Sequence, residues 1–490
     1  MRHPLSELYG HSLTLLTDLY QMTMAYGYWK SGSADKDAVF HLYFRKNPFK
    51  GGFAVACGVR HVIDYLRSLR FDEGDLDYLG DLNGNDGKPL FERGFLDYLR
   101  KIKFVCDVDA VPDGTVVFPH EPLIRVTGPI VQAQILESAL LNIMNFQTLI
   151  ATKAARIRIA AGASQVVEFG MRRAQGIDGA LTASLAAYIG GCDGTSNVLA
   201  GKLYGIPVMG THAHSWVMSF DSELESFQEY AQALPNNCVF LVDTYDTLEG
   251  VKNAIKVGKW LKKRGHELVG IRLDSGDLAY LSIEARKMLD KAGFPNASIV
   301  ASNDLDEHII DSLYDQGAAI GVWGVGTKLV TGYDQPALGG VYKLTAVRKP
   351  GEEWQYKVKL SEQAVKISTP GLQQVRRFYD REGSIADAIY DELNVPSGQF
   401  VIVDPLDMTR RRLIRKKTAH VDLLIPIFRQ GEQVYEVPAL RDTKMYLKDQ
   451  VGSFHAGIKR LLFPHQYPVG LEQKLHDLKT ELVLHARGFA

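Results

Sequence analysis

The sequence predicts an α/β fold: an irregular or incomplete βα barrel, plus a mixed α+β domain built from the N-terminal and C-terminal regions. Three observations predict it. From Gln165 onward, apolar runs of strand type end near Glu168, Met209, Asp243, Asp274, Asn303 and Trp323. Helical patterns fill most of the gaps, at 222–234, 248–263, 278–292 and 305–316. Strands alternating with helices of this length indicate a parallel sheet. About six strands are visible, short of the eight of a regular barrel. Thirdly, 341–360 alternates around Lys349-Pro350-Gly351-Glu352 as a hairpin, with further strands at 400–403 and 423–427. Domain limits are expected at 1–145, 146–340 and 341–490, the last region returning to the N-terminal sheet or capping it.

At 490 residues the chain is too long for one ordinary core. Its 46% apolar and 23% charged residues are those of a soluble globular protein. The net charge of −1 gives no bulk attraction to nucleic acid or to an anionic membrane, so neither is an expected partner. Cys57, Cys106, Cys192 and Cys238 form no CxxC pair, which argues against a disulfide framework or a structural zinc. No leader pattern and no long apolar run is visible, and a reduced, cytoplasmic enzyme is expected.

The elements follow in order. Apolar residues at helical spacing (Leu15, Leu19, Met22, Tyr26) predict a helix over 12–30. A strand is expected at 38–45, a short helix at 59–69 and a surface loop at 81–89. Two or three strands broken by prolines occupy 105–130, and one long or two short helices occupy 135–161. Within the barrel, helices are expected at 179–189 and 195–204, and a buried strand at 206–209. A final helix is expected at 470–484.

Charged and hydroxyl groups gather after the apolar strands, where α/β enzymes place their chemistry. Phe169 and Arg172 follow the first strand. Thr211, His212 and His214 follow the second, Asp243 the third, and Arg272, Asp274, Ser275 and Asp277 the fourth. Asn303 and Asp304 follow the fifth, and a Gly324-Val325-Gly326-Thr327 loop the sixth. An arginine, several carboxylates and a glycine loop at one barrel mouth suit a phosphorylated substrate with Mg²⁺. Each residue has a plainer reading. Tyr20 on an amphipathic helix is ordinarily a packing residue, and Arg272 with Asp274 forms a simple ion pair. The glycine loop reads as a turn, a loop histidine as solvated, and Ser196 as a helix N-cap. His212 and His214 lack the further ligands of a metal site, and no metal ligands are assigned.

The stretches EFGMRRAQ (168–175), GCDGTSNVLAGKLYGIPV and GTHAHS resemble nicotinate phosphoribosyltransferase, of the family related to nicotinamide phosphoribosyltransferase. LLTDLYQMTMAYGY, IRLDSGDL, ASNDLDE and GVGTKLVT extend the resemblance in order across most of the first 340 residues. The resemblance implies ATP-coupled synthesis of nicotinate mononucleotide and pyrophosphate from nicotinate and phosphoribosyl pyrophosphate, the first step of NAD salvage from nicotinate. It implies that His214 is transiently phosphorylated by ATP and that Asp274 meets the ribose hydroxyls. Nicotinate would be held by Tyr20, Phe169, Arg172, Ser196, Thr211 and Arg272. The phosphoribosyl group would be held by Asp243, Ser275, Asn303, Gly324, Gly326 and Thr327. Mg²⁺ is the implied cofactor and ATP a co-substrate. A homodimer with shared active sites is also implied, Tyr20 reaching its neighbour's pyridine. In nicotinamide-using relatives an aspartate stands where Ser196 does. No role for His212 follows. The competing readings are a quinolinate-type or nicotinamide phosphoribosyltransferase and a non-catalytic nucleotide-binding regulator.

Overall fold

The computed structural model describes residues 10 and 12–489. The chain divides into two units, Met1–Leu149 with Ala337–Ala490, and Ile150–Pro336. In the second unit the strands are short and parallel: β1 (Gln165–Glu168), β2 (Gly194–Thr195), β3 (Val239–Leu241), β4 (Gly270–Leu273), β5 (Ser298–Ala301) and β6 (Val322–Val325). They pair in the order β2-β1-β6-β5-β4-β3. A parallel bridge from Thr195 to Val208 adds one rung beyond β2. Among the described residues no ladder joins β3 to that rung, so the sheet is an open, curled half-barrel. This is the incomplete βα barrel expected from the sequence.

Three details correct that expectation. The strand at 206–209 is reduced to the single bridge, because Pro207 has no N–H to donate and offers only its carbonyl, to Thr195 at 3.0 Å. A two-residue strand, β2, stands where a helix was expected to begin, and that helix starts only at Val198. β6 runs through Gly324 to Val325, opposite Val167 and Glu168, so Gly324 belongs to the sheet and not to the loop after it.

The helices of this unit are α1 (Gly176–Ile189), α2 (Val198–Tyr204), α3 (His214–Met218), α4 (Glu223–Ala233), α5 (Thr247–Lys262), α6 (Leu278–Lys291), α7 (Glu307–Asp315) and α8 (Thr327–Val330). Five begin on a side-chain cap. Asn197, Ser222, Asp246, Asp277 and Asp306 each accept from backbone N–H groups of the first turn. Such a cap is worth roughly 1 kcal/mol and fixes where the chain turns from loop to helix. Capping by Asp277 gives a structural role to one of the carboxylates that the sequence placed after the fourth strand. At the foot of α7, Glu307 is buried between Lys153 Nζ and Arg156 Nε, both at 2.8 Å. Burial alone would raise its carboxyl, but the two cations outweigh that and hold it below the usual range.

The first unit contains a seven-stranded sheet. Asp37–Tyr43, Ile124–Pro129 and Asp107–Ala110 form its centre, and strands from beyond residue 340 flank them on both sides. Val341–Arg348 pairs antiparallel with Asp37–Tyr43, and Gln355–Tyr356 closes the expected hairpin. Phe40 stacks on Tyr342 with ring centroids 4.9 Å apart. A second sheet of six strands is built wholly from residues after 372. It takes Val469–Glu472 as an interior strand, so the last helix begins at Gln473 and not at 470. Pairing on both edges decides the conformation of those four residues over their helical pattern. The N-terminal helix is also shorter than expected, Leu19–Lys30.

Candidate active site

The exit of β1 is organised by Glu168, which is fully buried. Its Oε2 accepts from Ser184 Oγ at 2.8 Å and Thr195 Oγ1 at 2.6 Å, and its Oε1 accepts from the Gly170 N–H. Its backbone oxygen accepts from the Ser196 N–H at 2.9 Å. A buried carboxylate needs this many donors, and here they tie α1, β2 and the turn after β1 to one point. Phe169 follows, with its N–H donating to Val325 O at 2.8 Å. Its ring lies over Gly324, where an added Cβ would stand 2.6 Å from ring Cδ2. Gly170 is similarly closed in by Val330, so α8 packs directly on this turn. Arg172 projects from a single 3₁₀ turn, Met171–Arg173. It is exposed and makes no side-chain bond among the described residues. The Ser196 hydroxyl is half-buried and also lacks a partner there, because the cap of α2 is Asn197, accepting from Ala200 N at 3.2 Å. The capping role that the sequence allowed Ser196 is thereby taken by its neighbour.

At the exits of β4 and β5, Arg272 spreads its guanidinium over three acceptors: Nε to Ser302 Oγ at 2.8 Å, Nη1 to Thr211 Oγ1 at 3.2 Å and Nη2 to Asp274 Oδ1 at 2.8 Å. Its centre lies 5.6 Å from the Phe169 ring centroid, within cation–π range. Asp274 Oδ1 also accepts from the Ser302 hydroxyl. Partial burial would raise the Asp274 carboxyl, but the Ser302 hydroxyl and the Arg272 charge hold it below the usual range. The ion pair that the sequence offered as a plain reading is therefore present, within a wider network. Asp243 reaches across from the end of β3. Its Oδ2 accepts from the Asp274 N–H at 2.9 Å and from Ser275 Oγ at 2.6 Å. Its Oδ1 is buried with no hydrogen-bond partner among the described residues.

His214 opens α3. Its Nδ1 lies 3.1 Å from Thr244 Oγ1, and its Nε2 faces Asp274 Oδ2 at 3.7 Å. A carboxylate only accepts, so this setting favours the proton on Nε2 and leaves the Nδ1 lone pair to the Thr244 hydroxyl. His212 points elsewhere. It is buried among Phe227, Tyr230 and Phe240, and its Nε2 accepts from the Leu241 N–H at 3.2 Å.

After β5, Asn303 holds φ at 107°, a conformation rarely adopted outside glycine, and its side chain accepts from Asp304 N at 2.9 Å. After β6, only Gly326 separates the strand from α8, which Thr327 begins. Lys328 Nζ meets Asp306 Oδ2 at 2.8 Å, tying α8 to the cap of α7. Tyr20 lies in the other unit, on Leu19–Lys30, with its ring about half exposed and its hydroxyl accepting from Gln21 Nε2 at 3.3 Å.

The structure thus brings Phe169, Ser196, Thr211, His214, Asp243, Arg272, Asp274, Ser275, Asn303, Gly326 and Thr327 to the exits of the parallel strands. It also adds Glu168, Thr244 and Ser302. Each of the three lay in a stretch the sequence had marked, but a carboxylate or hydroxyl beside stronger candidates carries no separate signal. Among the described residues no group of three His, Cys, Asp or Glu could hold a metal ion alone. No helix of the described residues is long and apolar enough to cross a membrane.

With the geometry in place, comparison with known proteins is decisive. Three family models match in succession: the nicotinate phosphoribosyltransferase N-terminal domain at 15–145, the nicotinate phosphoribosyltransferase family at 164–370 and the nicotinate phosphoribosyltransferase C-terminal domain at 372–479. The chain belongs to the nicotinate phosphoribosyltransferase family. It is 44% identical over 484 residues to the nicotinate phosphoribosyltransferase of Bacillus subtilis (strain 168), covering 96% of this chain and 97% of that one. It is 37% identical to that of Caenorhabditis elegans, over 96% and 93% of the two chains. The crystal structure of human nicotinic acid phosphoribosyltransferase superposes with a TM-score of 0.83 at 33% identity, over 96% of this chain and all of that one. A nicotinate-nucleotide pyrophosphorylase from Pyrococcus furiosus, at 22% identity and a TM-score of 0.69, shares the fold.

Proposed function

We propose that this chain joins nicotinate to phosphoribosyl pyrophosphate, giving nicotinate mononucleotide and pyrophosphate in NAD salvage, and that ATP hydrolysis is coupled to this through a phosphohistidine at His214. The observation that carries the reading is the Arg272-Asp274-His214 constellation. A guanidinium already bonded to Thr211 stands over the Phe169 ring, and a carboxylate held ionised links it to an imidazole.

The pyridine ring lies against Phe169. Its carboxylate is met by Arg272, which Thr211 orients, by the free hydroxyl of Ser196 and by Arg172, a cationic and hydroxylic set suited to an anion. The ring nitrogen attacks C1 of the ribose while the C1–O bond to pyrophosphate breaks. No base is needed, because a pyridine nitrogen carries no proton to remove. Positive charge grows on the sugar, and Asp243 and Asp274 stabilise it while Ser275 holds Asp243 in place. Asn303, Gly326 and Thr327 are assigned to the phosphate end. Tyr20 is assigned to the pyridine site of a second copy in a homodimer, in the cytoplasm.

The donor set fits Mg²⁺. The buried, unpartnered Oδ1 of Asp243 is an acceptor awaiting a ligand, and Mg²⁺ is commonly held by one or two carboxylates plus substrate phosphates. Asp243 would hold it together with substrate phosphates, where it would offset charge on the pyrophosphate. Towards ATP, Nδ1 of His214 is the nucleophile. It takes the γ-phosphoryl group as the bond to the β-phosphate oxygen breaks and ADP leaves, while Asp274 stabilises the Nε2–H side. Water then releases phosphate.

The test supplies nicotinate, phosphoribosyl pyrophosphate and Mg²⁺, with and without ATP, and measures nicotinate mononucleotide. Product formation with a lower apparent KM for nicotinate in the presence of ATP is expected. Turnover of quinolinate, or of nicotinamide in preference to nicotinate, would overturn the reading.

A further inference from the structure

His212 is the polar residue of the Thr211–His214 segment that the reaction leaves unused, and its surroundings are specific. The half-barrel has an open seam between β3 and the rung at Val208. On the closed side of β3, Val242 N–H donates to Arg272 O at 3.2 Å. Successive N–H groups of a strand alternate in direction, so the Leu241 N–H points from β3 into the seam, where a neighbouring strand would otherwise accept it. It finds His212 Nε2 at 3.2 Å instead. A buried N–H left without an acceptor is costly, so the bond matters to the edge it closes. The imidazole is enclosed by Phe227 and Tyr230 of α4 and Phe240 of β3, at centroid distances of 5.9, 5.0 and 6.3 Å.

The same short segment is tied on either side of His212. Thr211 Oγ1 donates to His212 O at 3.1 Å and accepts from Arg272 Nη1. His214 Nδ1 meets Thr244 Oγ1, three residues beyond Leu241. Three side chains in four residues thus anchor one strap to the exits of β3 and β4. The middle anchor bonds the strand backbone itself.

We propose that His212 is a positioning residue, a side-chain clasp that replaces strand pairing across the open seam and sets the distances of Thr211 from Arg272 and of His214 from Asp274. Nε2 acts as acceptor, so the clasp requires the neutral Nδ1–H tautomer; its nearest acceptor is Ala213 O at 3.5 Å. Burial favours the same neutral form, pushing the group down to about 4. The role assigned to His214 rests on the preceding reading; the seam itself does not.

The decisive comparison is of His212→Phe, which keeps an aromatic ring but no acceptor, with His212→Gln, which restores an acceptor at the reach of Nε2. Transfer of nicotinate, steady-state KM and γ-label incorporation from ATP are measured for both. A misplacement of the order of 1 Å costs about a hundredfold. The Phe variant is therefore expected to lose about tenfold to a hundredfold in kcat, with KM for nicotinate changing less. The Gln variant should recover most of the loss. Wild-type kcat in the Phe variant, or equal impairment in both variants, would overturn the clasp. If the wild type itself takes no label, the phosphohistidine reading fails, while kcat for transfer still judges the clasp through Thr211 and Arg272. If the Phe variant does not fold, long-range ¹H–¹⁵N spectra of wild-type imidazoles decide. A neutral Nδ1–H His212 with a hydrogen-bonded Nε2 is expected, and an Nε2–H tautomer rejects the proposal.

Discussion

Gly324 and Phe169 are face to face: a Cβ on the one would stand 2.6 Å from the ring of the other. Gly324 is fixed within β6 by its pairing with Val167, so the strand cannot retreat. Gly324→Ala should therefore displace the ring, not the backbone. The expected outcome is a rise of at least about tenfold in KM for nicotinate, each tenfold corresponding to about 1.4 kcal/mol, with KM for phosphoribosyl pyrophosphate changing much less. Equal effects on both substrates would return Gly324 to the phosphate contact that the sequence suggested.

His214→Ala should abolish ATP hydrolysis and the acid-labile label from γ-labelled ATP. Some ATP-independent transfer should persist, because Arg272, Asp274 and Thr211 keep their mutual bonds without the imidazole. Labelling at the wild-type level in this variant would remove His214 from the phosphoryl step.

The sequence showed the barrel because its period is long and regular, and it located the strand exits to within a few residues. What it missed depends on partners distant in the chain. Glu168 reads as charge at a strand mouth, yet it is buried because Ser184, Thr195 and the Gly170 N–H converge on it. Two-residue β2 is too short to show alternation. Val469–Glu472 is a strand because it is paired on both edges. His212 and His214 look alike in GTHAHS, and only the folded surroundings separate them: one is buried against the Leu241 N–H, the other lies between Thr244 and Asp274.

His212 also gives a pH dependence. Its pKa is lowered from about 6.5 to about 4 by burial, so between those values the unfolded chain binds more protons than the folded one. Stability from this group is complete above about pH 6.5 and is lost as pH falls toward 4, with a slope of at most about 1.4 kcal/mol per pH unit. Buried His41 and His120 act in the same direction. His212→Phe should therefore flatten, without abolishing, the fall in Tm between pH 7 and 5, read by scanning calorimetry at about those two values. An unchanged pH slope would mean that His212 takes up its proton at the same pH folded as unfolded, and so is not held neutral by burial.

The assignment of Tyr20 to a second copy's site predicts complementation. Tyr20→Ala and Arg272→Ala should each be nearly inactive alone. After subunit exchange, a mixed dimer has one site with both residues intact, and part of the activity should return. Demonstrated exchange without recovery would place Tyr20 in its own chain's site or outside any site.

Ser196 offers the sharpest test of substrate choice. Its N–H is committed to Glu168 O, which fixes the backbone, while its hydroxyl has no partner among the described residues. Capping of α2 belongs to Asn197, so Ser196→Asp should leave that helix start unchanged. A new carboxylate about 4 Å from that of nicotinate repels it by roughly 4 kcal/mol at an effective dielectric of about 20. Relaxation and water reduce this, leaving an expected loss of about tenfold to a few hundredfold in kcat/KM for nicotinate. Nicotinamide presents an NH₂ that the same carboxylate accepts, so its kcat/KM should rise. The ratio of kcat/KM for the two pyridines, in wild type and variant, is the measurement. An unchanged ratio would reject Ser196 as the selector and leave discrimination to Arg172, Thr211 and Arg272.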